Sequence, residues 1–367
     1  MSRLTALWEE QGQAVWLDFI ERSLLVGGGL DSLVEGDGVR GVTSNPSIFQ
    51  KAIEGSDAYD AVVDAVIREN PRTTTTGLYE ALAIEDIRAA TDILRAVWET
   101  SSGGDGYVSL EVSPHLARDT EGTVVEARRL WRTVDRPNLM IKVPATAEGI
   151  PAIERLIGEG INVNATLMFS LADYEAVAHA YLRGLEACAE PARVASVASF
   201  FVSRVDTKVD KELEAIGTED ALALRGRAAV ANAKLAYRRF KEIFRGEAFA
   251  PLAVRGARVQ RPLWASTGTK NPAYSDVLYV DELIGPETVN TLPVATMDAF
   301  RDHGCVRATL GEDLAAAEAT FAGLAALDID LDAVTAELQV EGVAAFATSF
   351  EQLLAALDAT LGKRIAT

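Results

Sequence analysis

Short apolar runs, each stopped by polar residues, glycine or proline, recur along this chain, and the segments between them carry apolar residues three and four positions apart. Eight runs read as buried strands: residues 15–20, 41–46, 107–112, 139–146, 162–169, 194–203, 262–267 and 288–292. The intervening pattern predicts helices. Leu4, Leu7 and Trp8 share a face before the first run, a short helical piece lies around 31–35, and a helical region follows Pro46 to about 68. A threonine cluster at 73–76 suits a cap, and Ile84, Ile87, Thr91, Leu94 and Trp98 then line one side of a helix. Further helices are expected over 123–133, near Pro151, after Ser170 (with Asp173 in a capping-box pattern) and over 228–244. In the tail, Val343, Phe346, Phe350, Leu353, Leu357 and Leu361 fall on one helical face.

Strands that alternate with helices pair in parallel, and eight of them close on themselves. The predicted class is therefore α/β, a (β/α)8 TIM barrel with extra helices. An open doubly wound sheet is the alternative. Residues 36–41, Gly-Asp-Gly-Val-Arg-Gly, spell the G-x-G-x-x-G dinucleotide pattern, but they precede a strand instead of leaving one for a helix. They read as a turn, and nothing else supports a nucleotide fold or a dehydrogenase. The helical stretches at 57–98 and 310–363 exceed what a minimal barrel needs, and no Pro/Gly/Ser linker divides the chain. The expected organisation is one barrel domain over 1–367 with additional N- and C-terminal helices.

Charge and composition narrow the partners. A net charge of −19 argues against nucleic acid and anionic membrane, both of which reward clustered Lys and Arg. It leaves room for a phosphorylated small molecule if a few cations are focused in one cleft. Cys188 and Cys305 have no C-x-x-C spacing, so a reducing cytoplasm is expected in place of a disulfide framework. His115, His179 and His303 stand far apart, and no metal site is expected. No apolar run reads as long enough to span a bilayer, and no signal sequence is visible. A homodimer stays open, because buried and exposed apolar helix faces look alike in sequence.

The chemistry concentrates at the carboxyl ends of the strands, where a barrel holds its site. Asp18, Asn45, Glu111, Lys142, Asn164, Thr166, Ser199 and Arg204 come one or two from each of the first six strands. Lys142 sits in Leu-Met-Ile-Lys-Val-Pro, where burial disfavours an ammonium. Two readings fit such a lysine: a structural partner for a carboxylate, or an amine that attacks a carbonyl to form a Schiff base. Each neighbour also has a plain alternative. Asp18 or Glu111 could serve only to pair a buried lysine, and Asn45 could be a turn residue before Pro46. Several such residues aligned around one lysine favour function over coincidence.

Five ordered segments resemble transaldolase. They are Thr-Ser-Asn-Pro-Ser at 43–47, Ile-Lys-Val-Pro-Ala-Thr at 141–146, Asn-Val-Asn-Ala-Thr-Leu at 162–167, Ser-Phe-Phe-Val-Ser-Arg at 199–204 and Trp-Ala-Ser-Thr-Gly at 264–268. The chain is most similar to the longer bacterial branch of that family. The resemblance implies that Lys142 forms an imine with a ketose phosphate, with no cofactor and no metal. It implies that Asp18 takes the C4 hydroxyl proton, and that Glu111 and Thr166 hold a water that shuttles protons. Thr43, Asn45, Asn164 and Ser199 would bind substrate hydroxyls, and Phe201 would form an apolar wall. Arg204 would take the phosphate. Family members commonly carry a second arginine after the seventh strand; here Ser266 and Lys270 stand in its place, and Lys270 also reads as a solvated surface residue. The implied activity moves a dihydroxyacetone unit from sedoheptulose 7-phosphate to glyceraldehyde 3-phosphate. A class I aldolase releasing free dihydroxyacetone, and a non-catalytic barrel that binds sugar phosphates, are the rivals.

Overall fold

The computed structural model describes residues 2–54 and 56–365. Residues 1, 55, 366 and 367 of the unit expected over 1–367 lie outside the described residues. Eight strands, β1 (Gln13–Leu17), β2 (Gly41–Val42), β3 (Tyr107–Glu111), β4 (Leu139–Pro144), β5 (Val163–Met168), β6 (Ser196–Phe201), β7 (Arg261–Ala265) and β8 (Thr288–Leu292), form a closed parallel barrel in chain order. Closure runs through five registered positions, from Gln13 opposite Thr288 to Leu17 opposite Leu292. Helices pack around the barrel, and a single large apolar cluster joins them to the outward residues of the strands. This is the (β/α)8 TIM barrel with extra helices.

The strand ends differ from the sequence reading in ways that matter for the site. β1 begins two residues earlier than expected; Gln13, fully buried, places its amide nitrogen by donating to the Leu283 carbonyl and the Thr288 hydroxyl. It also ends earlier, so Asp18 is not mid-strand but the first residue beyond the strand. β2 is short: Asn45 leaves the sheet to cap a helix over Pro46–Ile53, its Oδ1 accepting from the Ile48 N–H, with Pro46 at the first helical position. β6 stops at Phe201, which puts Arg204 in the first turn of a helix over Ser203–Ile216. The helix expected over 84–98 is two, Thr75–Ile93 and Arg95–Thr100, and Thr74 caps the first through the Gly77 N–H.

Each glycine of the misleading 36–41 pattern has a different job. Gly36 lies inside a helix over Gly29–Asp37, and Gly38 ends that helix in the left-handed region at φ +68°. Gly41 lies under the Trp16 ring, which a Cβ would approach to 2.4 Å. The pattern is thus a helix end followed by a strand start rather than one turn.

The tail forms helices over Leu314–Ala326 and Leu331–Ile365. The longer one amends the membrane expectation, since by length and apolar composition alone it could span a bilayer. Here it lies against the carboxyl-terminal end of the barrel strands, where Val334, Leu338, Phe346, Leu353, Leu357 and Leu361 join the main core. Gln339 Nε2 donates to two carbonyls, Ala145 O just after β4 at 3.1 Å and Leu167 O within β5 at 3.3 Å.

Candidate active site

Register alone brings three polar residues together. Glu111 on β3 pairs with Lys142 on β4, which pairs with Asn164 on β5, so the three stand side by side at one level of the barrel. Lys142 is almost fully buried. Its Nζ lies 3.3 Å from Glu111 Oε2, donates to the Ser44 carbonyl at 3.1 Å and sits 5.6 Å from the centre of the Phe346 ring. Burial pushes the Glu111 carboxyl up, and the Lys142 charge opposes this. Among the described residues neither carboxylate oxygen accepts a hydrogen bond in good geometry, and Lys142 is the cation paired with it.

A small cavity of about 110 Å³ opens above the lysine. Asp18, Thr43, Asn45, Lys142, Thr166, Ser199, Phe201, Arg204, Ser266 and Lys270 all line it, ten of the twelve positions expected from sequence. Glu111 and Asn164 are the other two, and they stand behind the lining. Asn164 bridges the barrel interior, donating to Ser109 Oγ at 2.9 Å and accepting from Ser199 Oγ at 2.7 Å, which fixes the serine hydroxyl on the cavity wall. Thr166 Oγ1 is buried without a partner and free for a ligand contact.

The second carboxylate is held differently. Asp18 Oδ1 accepts from Thr43 Oγ1 at 2.6 Å, and Thr43 Oγ1 lies 2.6 Å from Thr291 Oγ1. An ionised Asp18 can only accept, so the Thr43 proton is committed to it and Thr291 must donate to Thr43. Burial pushes the Asp18 carboxyl up, opposed first by the Thr43 hydrogen bond and then by Lys142, Lys270 and Arg204. Two acids and one amine therefore share the site, one acid against the amine and one across the cavity.

Cations collect on the far side. Burial lowers the Arg204 guanidinium, countered by Asp18 and Glu341, and its charge centre lies 5.2 Å from the Phe201 ring centre. Ser266 adopts φ +57°, a costly conformation for a residue with a side chain, and its hydroxyl meets Ser203 Oγ at 3.1 Å. Lys270 is exposed, yet it reaches the cavity wall, so the arginine, the serine and the lysine form one cationic, hydroxyl-bearing corner.

Two contributors were missed in the sequence. Thr291, at the end of β8, carries the same signal as the polar strand ends of β1 to β6 and could have been found by carrying that rule to the last strand. Phe346 belongs to an apolar helix face that reads as core, and nothing local says that one of its rings covers a lysine.

Comparison with known proteins places the chain among close relatives. The family model described as transaldolase/fructose-6-phosphate aldolase matches residues 15–357. A transaldolase of Thiobacillus denitrificans is 55% identical over 348 residues, covering 94% of this chain and 96% of that protein. A transaldolase of Mycolicibacterium smegmatis is 50% identical, covering 96% and 95%, and transaldolase 1 of Streptomyces coelicolor is 49% identical, covering 97% and 94%.

Proposed function

We infer the workings of the site from one premise: this chain belongs to the transaldolase/fructose-6-phosphate aldolase family. It is an enzyme of carbohydrate metabolism, a transferase of aldehyde and ketone residues. Its reaction is that of transaldolase, moving a dihydroxyacetone unit from sedoheptulose 7-phosphate to glyceraldehyde 3-phosphate and giving erythrose 4-phosphate and fructose 6-phosphate. The non-catalytic alternative falls with that membership.

The residue roles are our proposal. Lys142 Nζ attacks the ketone carbon of the donor, and the carbinolamine loses water to give a protonated imine. The C3–C4 bonding pair then flows toward the iminium while Asp18 takes the C4 hydroxyl proton, so the aldehyde leaves and an enamine stays on the lysine. Addition of the acceptor aldehyde reverses these steps. Glu111 and Thr166 handle the water and protons of imine formation and hydrolysis. Thr43, Asn45, Asn164 and Ser199 orient hydroxyls, Phe201 walls the bound unit, and Arg204, Ser266 and Lys270 take the phosphate. The observation that carries this reading is a buried amine 3.3 Å from one carboxylate, with a second carboxylate in the same cavity. A cytoplasmic setting, where thiols stay reduced, suits the free Cys188 and Cys305 and belongs to the same proposal, as do a single domain and pairing in a homodimer.

Borohydride reduction in the presence of fructose 6-phosphate tests the chemistry. A three-carbon adduct mapped to Lys142, and absent from Lys142→Ala, is the expected result. An adduct on another lysine that survives the substitution overturns it. Release of free dihydroxyacetone without an acceptor, at the rate of transfer, would favour the aldolase rival.

A further inference from the structure

A second, larger cavity lies away from the catalytic end. It has a volume of about 810 Å³, and its walls come from the segments that precede β3, β4, β5, β6 and β7, on the opposite floor of the barrel. That volume lies in the range of small-molecule sites. Two tryptophans, Trp98 and Trp131, line it, both only partly buried, with the Arg95 guanidinium 4.9 Å from the Trp98 ring centre. Exposed indole surface in a concave wall favours a flat, apolar partner over water.

The charges in the same walls are not balanced. Glu99 is held by Arg95, Glu159 by Arg128, and Glu190 is paired with Arg193. Arg258 has no carboxylate partner among the described residues. Its guanidinium donates to the Ser102 carbonyl and lies beside Gly103, where a Cβ would stand 3.2 Å from it. The same Cβ would stand 3.4 Å from Trp98 Nε1, so Gly103, at φ +76°, is the residue that lets the guanidinium and the indole approach each other. Arg258, which has no carboxylate partner among the described residues, lines one cavity with the two tryptophans, and a guanidinium with aromatic walls suits an anion that carries a ring.

We propose that the barrel floor between Trp98, Trp131 and Arg258 is a second binding site, separate from the catalytic cavity, for a small aromatic anion. The ring lies against the indoles and the acidic group meets Arg258.

The test uses the whole protein and two probes, the anion 8-anilinonaphthalene-1-sulfonate and the uncharged N-phenyl-1-naphthylamine. Fluorescence titration and equilibrium dialysis should give one saturable site for the sulfonate. Arg258→Met and Trp131→Ala, each checked by near-ultraviolet circular dichroism and by unchanged transfer activity, should each weaken it at least tenfold. Arg258→Met should leave the uncharged probe unaffected, and Trp131→Phe should restore most of the loss in Trp131→Ala. Lys142→Ala should bind the sulfonate as the wild type does, so loss of the catalytic mechanism and loss of this site are separable. Equal affinity for both probes, unchanged binding in Arg258→Met, or displacement of the sulfonate by fructose 6-phosphate would each overturn the proposal.

Discussion

Replacing Thr43 by valine removes one hydroxyl and keeps the shape of the side chain. In the wild type that hydroxyl donates to Asp18 at 2.6 Å, and Thr43 is the foremost of the influences opposing the upward push of burial on the Asp18 carboxyl. A hydrogen bond to a carboxylate contributes about 1.5–3 kcal/mol, which corresponds to about one to two decades in an ionisation equilibrium. Its loss pushes Asp18 further up. In the proposed mechanism Asp18 acts as a base, so kcat/KM should rise with pH as the carboxyl ionises, and the acid limb of the variant should lie at higher pH than that of the wild type. At a fixed pH on that limb, Thr43→Val should turn over about 10- to 100-fold more slowly, with the gap closing toward neutrality. Initial rates with sedoheptulose 7-phosphate and glyceraldehyde 3-phosphate across the acid to neutral range provide the measurement. Thr291→Val, which removes the donor behind Thr43, should move the limb the same way by less. A uniform loss at every pH, with the limb in place, would refute the reasoning and leave Thr43 a positioning residue; a limb moved to lower pH would contradict its sign.

Asp18→Asn should block cleavage while leaving imine formation intact, so borohydride should trap a six-carbon adduct of fructose 6-phosphate on Lys142 in place of a three-carbon one; a three-carbon adduct would show that another base serves. Asp206, which accepts from the Ala229 N–H and the Tyr279 hydroxyl, is raised by burial from 3.8 to about 6. Between those values the folded protein holds a proton that the unfolded chain has released, so this group makes stability fall as pH rises through the window. Urea unfolding of Asp206→Asn should show its stability relative to wild type climbing across that window by up to about 3 kcal/mol, at about 1.4 kcal/mol per pH unit, and a flat difference would contradict the shift. Gly342, on the tail helix, would place a Cβ 3.0 Å from Leu167 and 3.7 Å from the Arg204 guanidinium. Gly342→Val should therefore cost about 1–3 kcal/mol through overpacking and raise KM for phosphorylated substrates more than it lowers kcat; an unchanged KM would argue that the helix does not set Arg204.

The eight strands, their order and most of the helices were legible in the sequence because the signals that specify them are local. Alternating and helical spacing, a proline after each of Asn45, Val143 and Ser113, and the caps at Thr74 and Ser170 act within a few residues. Polar residues at strand ends were legible for the same reason, since a parallel barrel turns every such position toward one mouth. Contacts between distant segments were not. Thr43 meeting Thr291, Phe346 covering Lys142, and Arg258 reaching the Ser102 carbonyl near Trp98 depend on barrel closure and on the docking of the tail helix. The sequence alone determined most of the residues that could do chemistry and the strand ends near which they lie. The tertiary structure decided which of them share a cavity and which stand behind it, because closing a barrel brings together residues whose separation along the chain carries no information about their distance in space.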